Sequence, residues 1–166
     1  TGPEVTKVEV NDEVILTWIK GSGIEGSGAK YDHEGEIINS GMVTTFSNYS
    51  VISENRLIQK PKNLAFDTAI LFGCALPTGA GMVLNEVDIS SKSSVIVIGL
   101  GGIGLSAIAM LLSLKVRNII AIDISDEKLQ KVQSWGVSNV INPKKSNIKE
   151  LVNEVIPGGV DFCIES

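Results

Sequence analysis

The chain has 166 residues, 43% of them hydrophobic, with a net charge of −5 and a pI near 4.9. That is enough apolar material for one domain with a real core or two small ones. An acidic balance without a basic stripe argues against nucleic acid as a partner. The apolar runs fall short of the roughly 18 residues of a membrane span, so no membrane partner is expected. No stretch reads as a signal peptide. Two cysteines, Cys74 and Cys163, suit a reducing compartment, the cytoplasm, better than a disulfide scaffold.

In chain order, Val5–Val10 and Val14–Trp18 read as strands with a turn at Asn11-Asp12 between them. Residues 21–41 are rich in Gly and Ser, have little periodicity and read as a loop. Phe46–Val51 and Arg56–Ile58 read as further short strands, and a helix begins within Leu64–Leu71. Trp18 is expected in the core of this β-rich part, and Tyr49 packed near the domain junction. From there the pattern changes. Strand Ser94–Ile98, helix Ile103–Leu114, strand Asn118–Ile122, helix Asp126–Trp135, strand Asn139–Ile141, helix Asn147–Val155 and strand Asp161–Ile164 alternate. Ser125 is the expected N-cap of the second of these helices and Gly136 its terminator. Strands and helices in alternation predict a doubly wound parallel sheet in an α/β fold. The last strand, with Cys163 in its core, should lie at a sheet edge, where another copy could add to it, so a homo-oligomer is possible. The predicted division is a β-rich segment, residues 1–76, and an α/β segment, 77–166, meeting near Pro77.

The run SVIVIGLGGIGLSAI places Gly99, Gly101 and Gly104 in the spacing G-x-G-x-x-G between a β-branched strand and an apolar helix. Gly99 permits a sharp turn, Gly101 lets a pyrophosphate reach the backbone, and Gly104 lets the helix approach the sheet. The helix N-terminus then offers N–H groups and a partial positive charge to phosphate. Asp123 ends the next strand, where a carboxylate can accept the ribose hydroxyls and repel a 2′-phosphate. This predicts NAD rather than NADP, with Gly99, Gly101, Gly102, Gly104 and Asp123 at the cofactor. The plain alternative is a glycine-rich turn in a parallel sheet with no ligand.

GCALPTGAGMVLN at Gly73–Asn85, followed by VIVIGLGGIGLSAI, resembles the zinc-dependent medium-chain alcohol dehydrogenases. TGPEVTKVEVNDEVIL and TTFSNYSVISENRLIQKP resemble the same family's β-rich portion. The resemblance implies part of a GroES-like catalytic domain followed by an incomplete Rossmann NAD-binding domain. It also implies hydride transfer between an alcohol and its aldehyde or ketone. It gives Cys74 the role of a catalytic zinc ligand and sets Thr78 and Ile103 against the nicotinamide. Lys128 falls near the adenosine ribose. The family's other zinc ligands, a Cys and a His in a Gly-His-Glu run, have no counterpart here. His33 sits in YDHEG with Asp32 before it, which does not match, and reads as a solvated loop residue. The chain is therefore expected to be an internal piece of a longer protein, with catalytic Zn²⁺ in that parent and inactive by itself. Residues 21–41 lack the four cysteines of a structural zinc lobe, so no structural zinc is expected.

Two other readings compete. A zinc-free quinone or enoyl reductase of the same superfamily would lack the cysteine at 74 and favour NADPH, against Cys74 and Asp123. A non-catalytic dinucleotide-binding module would fit the missing ligands. The alcohol itself is not legible.

Overall fold

A computed structural model describes all residues, 1–166, as two compact units, Thr1–Cys74 and Ala75–Ser166. No single helix is long and apolar enough to cross a membrane.

The first unit holds two small antiparallel pairs. Strand β1 (Val14–Leu16) pairs with β4 (Leu57–Gln59), setting Ile15 opposite Ile58, and Ile15 and Leu57 are its buried apolar residues in that pair. Strands β2 (Lys30–His33) and β3 (Glu36–Asn39) form a hairpin, with Lys30 opposite Asn39. This corrects the reading of residues 21–41 as a loop and puts His33 on an exposed strand end. Glu34 and Gly35, both at positive φ (53° and 86°), make the tight reversal. The unit ends in a single helical turn, α1 (Phe66–Ala69), continued by a 3₁₀ turn at Ile70–Gly73.

Two expected strands are absent. Val5–Val10 forms no ladder, because the Thr6 and Lys7 N–H groups donate instead to the Glu54 carboxylate at 2.6 and 2.7 Å. Phe46–Val51 is irregular, with the Ser50 hydroxyl bonded to the Thr44 carbonyl, and Phe46 and Tyr49 lie open to solvent. Trp18, expected in the core, is 59% exposed.

The second unit begins with α2 (Ala75–Gly81), which widens into a π turn at Met82–Glu86. Strand β5 (Ser94–Ile98), helix α3 (Gly102–Ser113), β6 (Asn118–Ile122), α4 (Asp126–Ser134), β7 (Asn139–Ile141), α5 (Ile148–Val155) and β8 (Phe162–Glu165) follow. The four strands form one parallel sheet in the order β7-β6-β5-β8. Its register sets Ile96 of β5 between Ile120 of β6 and Cys163 of β8. Side chains alternate across the sheet. Val95, Val97, Ile119 and Ala121 meet Ile108 and Leu111 of α3 and Leu129 and Val132 of α4 on one face. Ile96, Ile120, Ile122 and Ile141 meet Leu151 and Val152 of α5 on the other. Helices on both faces make this the doubly wound, Rossmann-like α/β arrangement that the alternation predicts.

Ser125 caps α4, accepting from the Lys128 N–H at a long 3.5 Å, and Gly136 ends it at φ 110°. There the N–H groups of Gly136 and Val137 return to the carbonyls of Gln133 and Val132. Helix α3 ends the same way, but on Lys115 at φ 60°. Strand β8 is fastened at its start by Asp161, whose carboxylate accepts from the Ser94 N–H and hydroxyl, each at 2.8 Å. Cys163 is exposed, not core, because β8 lies at the sheet edge.

Candidate functional site

The strand order locates the site. The chain leaves β5 toward β6 and β7 on one side, then returns to place β8 on the other. Ligands of open parallel sheets bind beyond the carboxyl ends of the strands, at this reversal. Gly99 to Gly104 occupy that point, between β5 and α3.

The three glycines have different physical reasons. Gly99 sits at φ 87°, and a Cβ there would lie 2.2 Å from the Ser166 carbonyl oxygen. A Cβ on Gly104 would lie 1.9 Å from the Gly99 carbonyl oxygen, so α3 reaches the turn only without one. Gly101 has φ −76° and ψ −169°, which any residue adopts, and a Cβ on it meets nothing within 4 Å. The turn therefore opens onto free space at Gly101. No side chain caps α3, so the exposed Gly102 and the half-buried Ile103 stand at an uncapped N-terminus. Such an end carries N–H donors and a partial positive charge.

Asp123 joins this turn. It is 9% exposed, and its Oδ2 accepts the Leu100 N–H at 2.7 Å while Oδ1 accepts the Ser125 N–H at 2.8 Å. The Lys128 ammonium lies 3.6 Å from Oδ2. Burial pushes the carboxyl up, but the Leu100 and Ser125 N–H groups and Lys128 together outweigh it and hold the group below the usual carboxylate value. An ionised carboxylate has about four acceptor positions. Two are used by the backbone and Lys128 stands against Oδ2, which leaves acceptor capacity on the carboxylate for a hydroxyl donor. The residues present thus fit a dinucleotide: open backbone at Gly101, an uncapped helix end, and an ionised acid anchored to the same turn.

Sequence reasoning missed how α2 is fixed beside this turn. A Cβ on Gly79 would stand 2.1 Å from the Ile103 carbonyl oxygen and 2.9 Å from the Ala107 nitrogen. The Ser106 hydroxyl donates to the Leu76 carbonyl at 2.7 Å. This close crossing sets Thr78, half-buried on α2, on the helix that packs against the first turn of α3. The small residues of Thr78-Gly79-Ala80-Gly81 are the signal that could have revealed it. The direct bond from the Leu100 N–H to Asp123 leaves no sequence signal beyond the acid itself.

Cys74 lies in the first unit, exposed, at the rim of an apolar hollow of about 370 Å³ lined by Leu16, Trp18, Phe66, Ala69 and Ile70. No three His, Cys, Asp or Glu side chains gather to hold a metal ion. A catalytic zinc takes three protein ligands, so the residues of this chain do not by themselves fit one.

Comparison with known proteins agrees with this geometry. The zinc-binding dehydrogenase family matches over residues 102–166. Alcohol dehydrogenase class-2 isozyme 2 of Oryctolagus cuniculus is 32% identical over 125 residues, covering 74% of this chain and 33% of the relative. The structure of benzyl alcohol dehydrogenase from Acinetobacter calcoaceticus superposes with a TM-score of 0.80 at 28% identity, over 99% of this chain and 51% of the other. An alcohol dehydrogenase zinc-binding domain protein from Burkholderia ambifaria gives 0.81 at 27% identity, over 99% and 52%. The chain thus spans about a third of the curated relative and about half of each of these structures. On its glycine turn, its strand order and these similarities together, residues 102–166 carry the zinc-binding dehydrogenase match, and the chain as a whole resembles the zinc-type medium-chain alcohol dehydrogenases over part of their length.

Proposed function

We propose that residues 75–166 bind NAD and that the chain serves an alcohol dehydrogenase acting on a small-molecule alcohol or its carbonyl product. One observation carries the reading: the ionised Asp123 carboxylate is bonded to the Leu100 N–H of a glycine turn that opens at Gly101. In this reading the N–H groups at the start of α3 hold the pyrophosphate, and the open face of Gly101 admits it. Asp123 accepts an adenosine ribose hydroxyl, and its charge repels a 2′-phosphate. Lys128 stands beside that ribose, keeping Asp123 ionised. Thr78 and Ile103 limit where the nicotinamide lies, the first from α2 and the second from α3. When bound, the nicotinamide supplies the hydride acceptor, and the protein supplies position and field.

Cys74 is proposed as one ligand of a catalytic zinc whose other ligands lie outside these residues. The first unit is proposed as part of the GroES-like catalytic domain. The chain alone is expected to bind NAD and to show no alcohol oxidation. Calorimetric titration with NAD and NADP tests the reading. Saturable NAD binding, weaker NADP binding, and loss of the difference in Asp123→Ala support it. Equal affinity for both cofactors in the wild type contradicts the role given to Asp123.

A further inference from the structure

The loops that leave β6 and β7 are tied together at the carboxyl end of the sheet by one side chain, Asn142. Its Nδ2 donates to the Ile124 carbonyl at 3.2 Å and to Asp126 Oδ1 at 2.7 Å. Its Oδ1 accepts the Lys144 N–H at 3.0 Å, and its own carbonyl accepts the Lys145 N–H at 3.0 Å. Lys145 closes the link through an ion pair with Asp126 Oδ2 at 2.5 Å. Between these ties lies Ile124, 59% exposed and next in sequence to Asp123. The backbone of this open apolar residue, directly after Asp123, is held by the bond from the Asn142 amide to its carbonyl.

We propose that Asn142 is a positioning residue for the adenosine end of the dinucleotide. This rests on the reading of Asp123 as the ribose acid. Asn142 does not touch the cofactor. It fixes Ile124 as an apolar wall for the adenine and limits the freedom of the Asp123–Asp126 segment that carries the ribose acid. Removing its amide hands the Ile124 carbonyl and Asp126 Oδ1 to water, which frees the loop, and the loop then orders at a cost on binding.

The test is a titration of the full chain and of Asn142→Ala and Asn142→Asp with ADP-ribose by calorimetry, and with inorganic pyrophosphate by amide chemical shifts. Asn142→Asp keeps the side-chain volume but faces the Ile124 carbonyl and Asp126 with acceptors only. The expected result is about a tenfold loss of ADP-ribose affinity in Asn142→Ala and a larger one in Asn142→Asp. Pyrophosphate affinity, set at the glycine turn, should stay within about twofold. Unchanged ADP-ribose affinity in folded variants overturns the inference while leaving NAD binding intact. An equal loss for both ligands also overturns it, since Asn142 would then serve only the fold. A wild type that binds neither NAD nor ADP-ribose removes the dinucleotide reading itself, and the inference with it.

Discussion

Replacing Gly101 by alanine should separate binding from folding. The Gly101 backbone, at φ −76° and ψ −169°, needs no glycine, and a Cβ there has nothing within 4 Å. Alanine at such a position stabilises by about 0.4–1 kcal/mol, by narrowing the unfolded ensemble. In a domain of this size that is a rise of roughly 2–8 °C in Tm, or at worst no change. The same methyl occupies the space through which a pyrophosphate must reach the N–H groups of α3. Crowding of that kind costs about 1–3 kcal/mol, or roughly 5- to 150-fold in Kd. Gly104→Ala is the counterpart, because its Cβ would overlap the Gly99 carbonyl oxygen at 1.9 Å, and it should lower Tm. Thermal unfolding and NAD calorimetry on the three proteins read both effects. A Gly101→Ala protein that binds NAD as tightly as the wild type, or that fails to fold, would refute the reasoning.

Other expectations follow from single groups. Glu54 accepts the N–H groups of Ile24, Thr6 and Lys7, which hold its carboxyl down to about 2 from the usual 4.5. A folded value below the unfolded one stabilises fully above pH 4.5 and is lost as pH falls toward 2. Tm against pH should therefore fall more steeply across that window in the wild type than in Glu54→Gln; parallel curves would count against the bonds. Lys115→Gly relieves a positive φ at the end of α3 and should raise stability by about 1 kcal/mol in urea unfolding. Gly79→Ala should push α2 from α3, costing about 1–3 kcal/mol and weakening NAD binding as the first turn of α3 shifts.

The second unit was legible because its chemistry is local and repetitive. Strands such as Ser94–Ile98 are β-branched and buried, and α4 and α5 carry ordinary side-chain caps at Ser125 and Asn147. The first unit was not, for particular reasons. The hairpin Lys30–Asn39 has every strand residue exposed, so it shows no apolar alternation. Its reversal uses Glu34-Gly35 rather than the Asn-Gly or Asp-Gly that marks such turns. Val5–Val10 has the composition of a strand, yet a distant carboxylate, Glu54, takes the N–H groups of Thr6 and Lys7. At the site, the glycine spacing and Asp123 could be read directly. The Gly79 crossing and the Asn142 tie could not, because each joins segments that only the fold brings together.

The most direct test of nucleotide binding at this turn is amide chemical-shift mapping of the full chain on addition of NAD. Perturbations are expected at Gly99, Leu100, Gly101, Gly102, Ile103 and Gly104, and at Asp123, Ile124, Ser125 and Lys128. Shifts confined to the apolar hollow beside Cys74, or no shifts at saturating NAD, would contradict it.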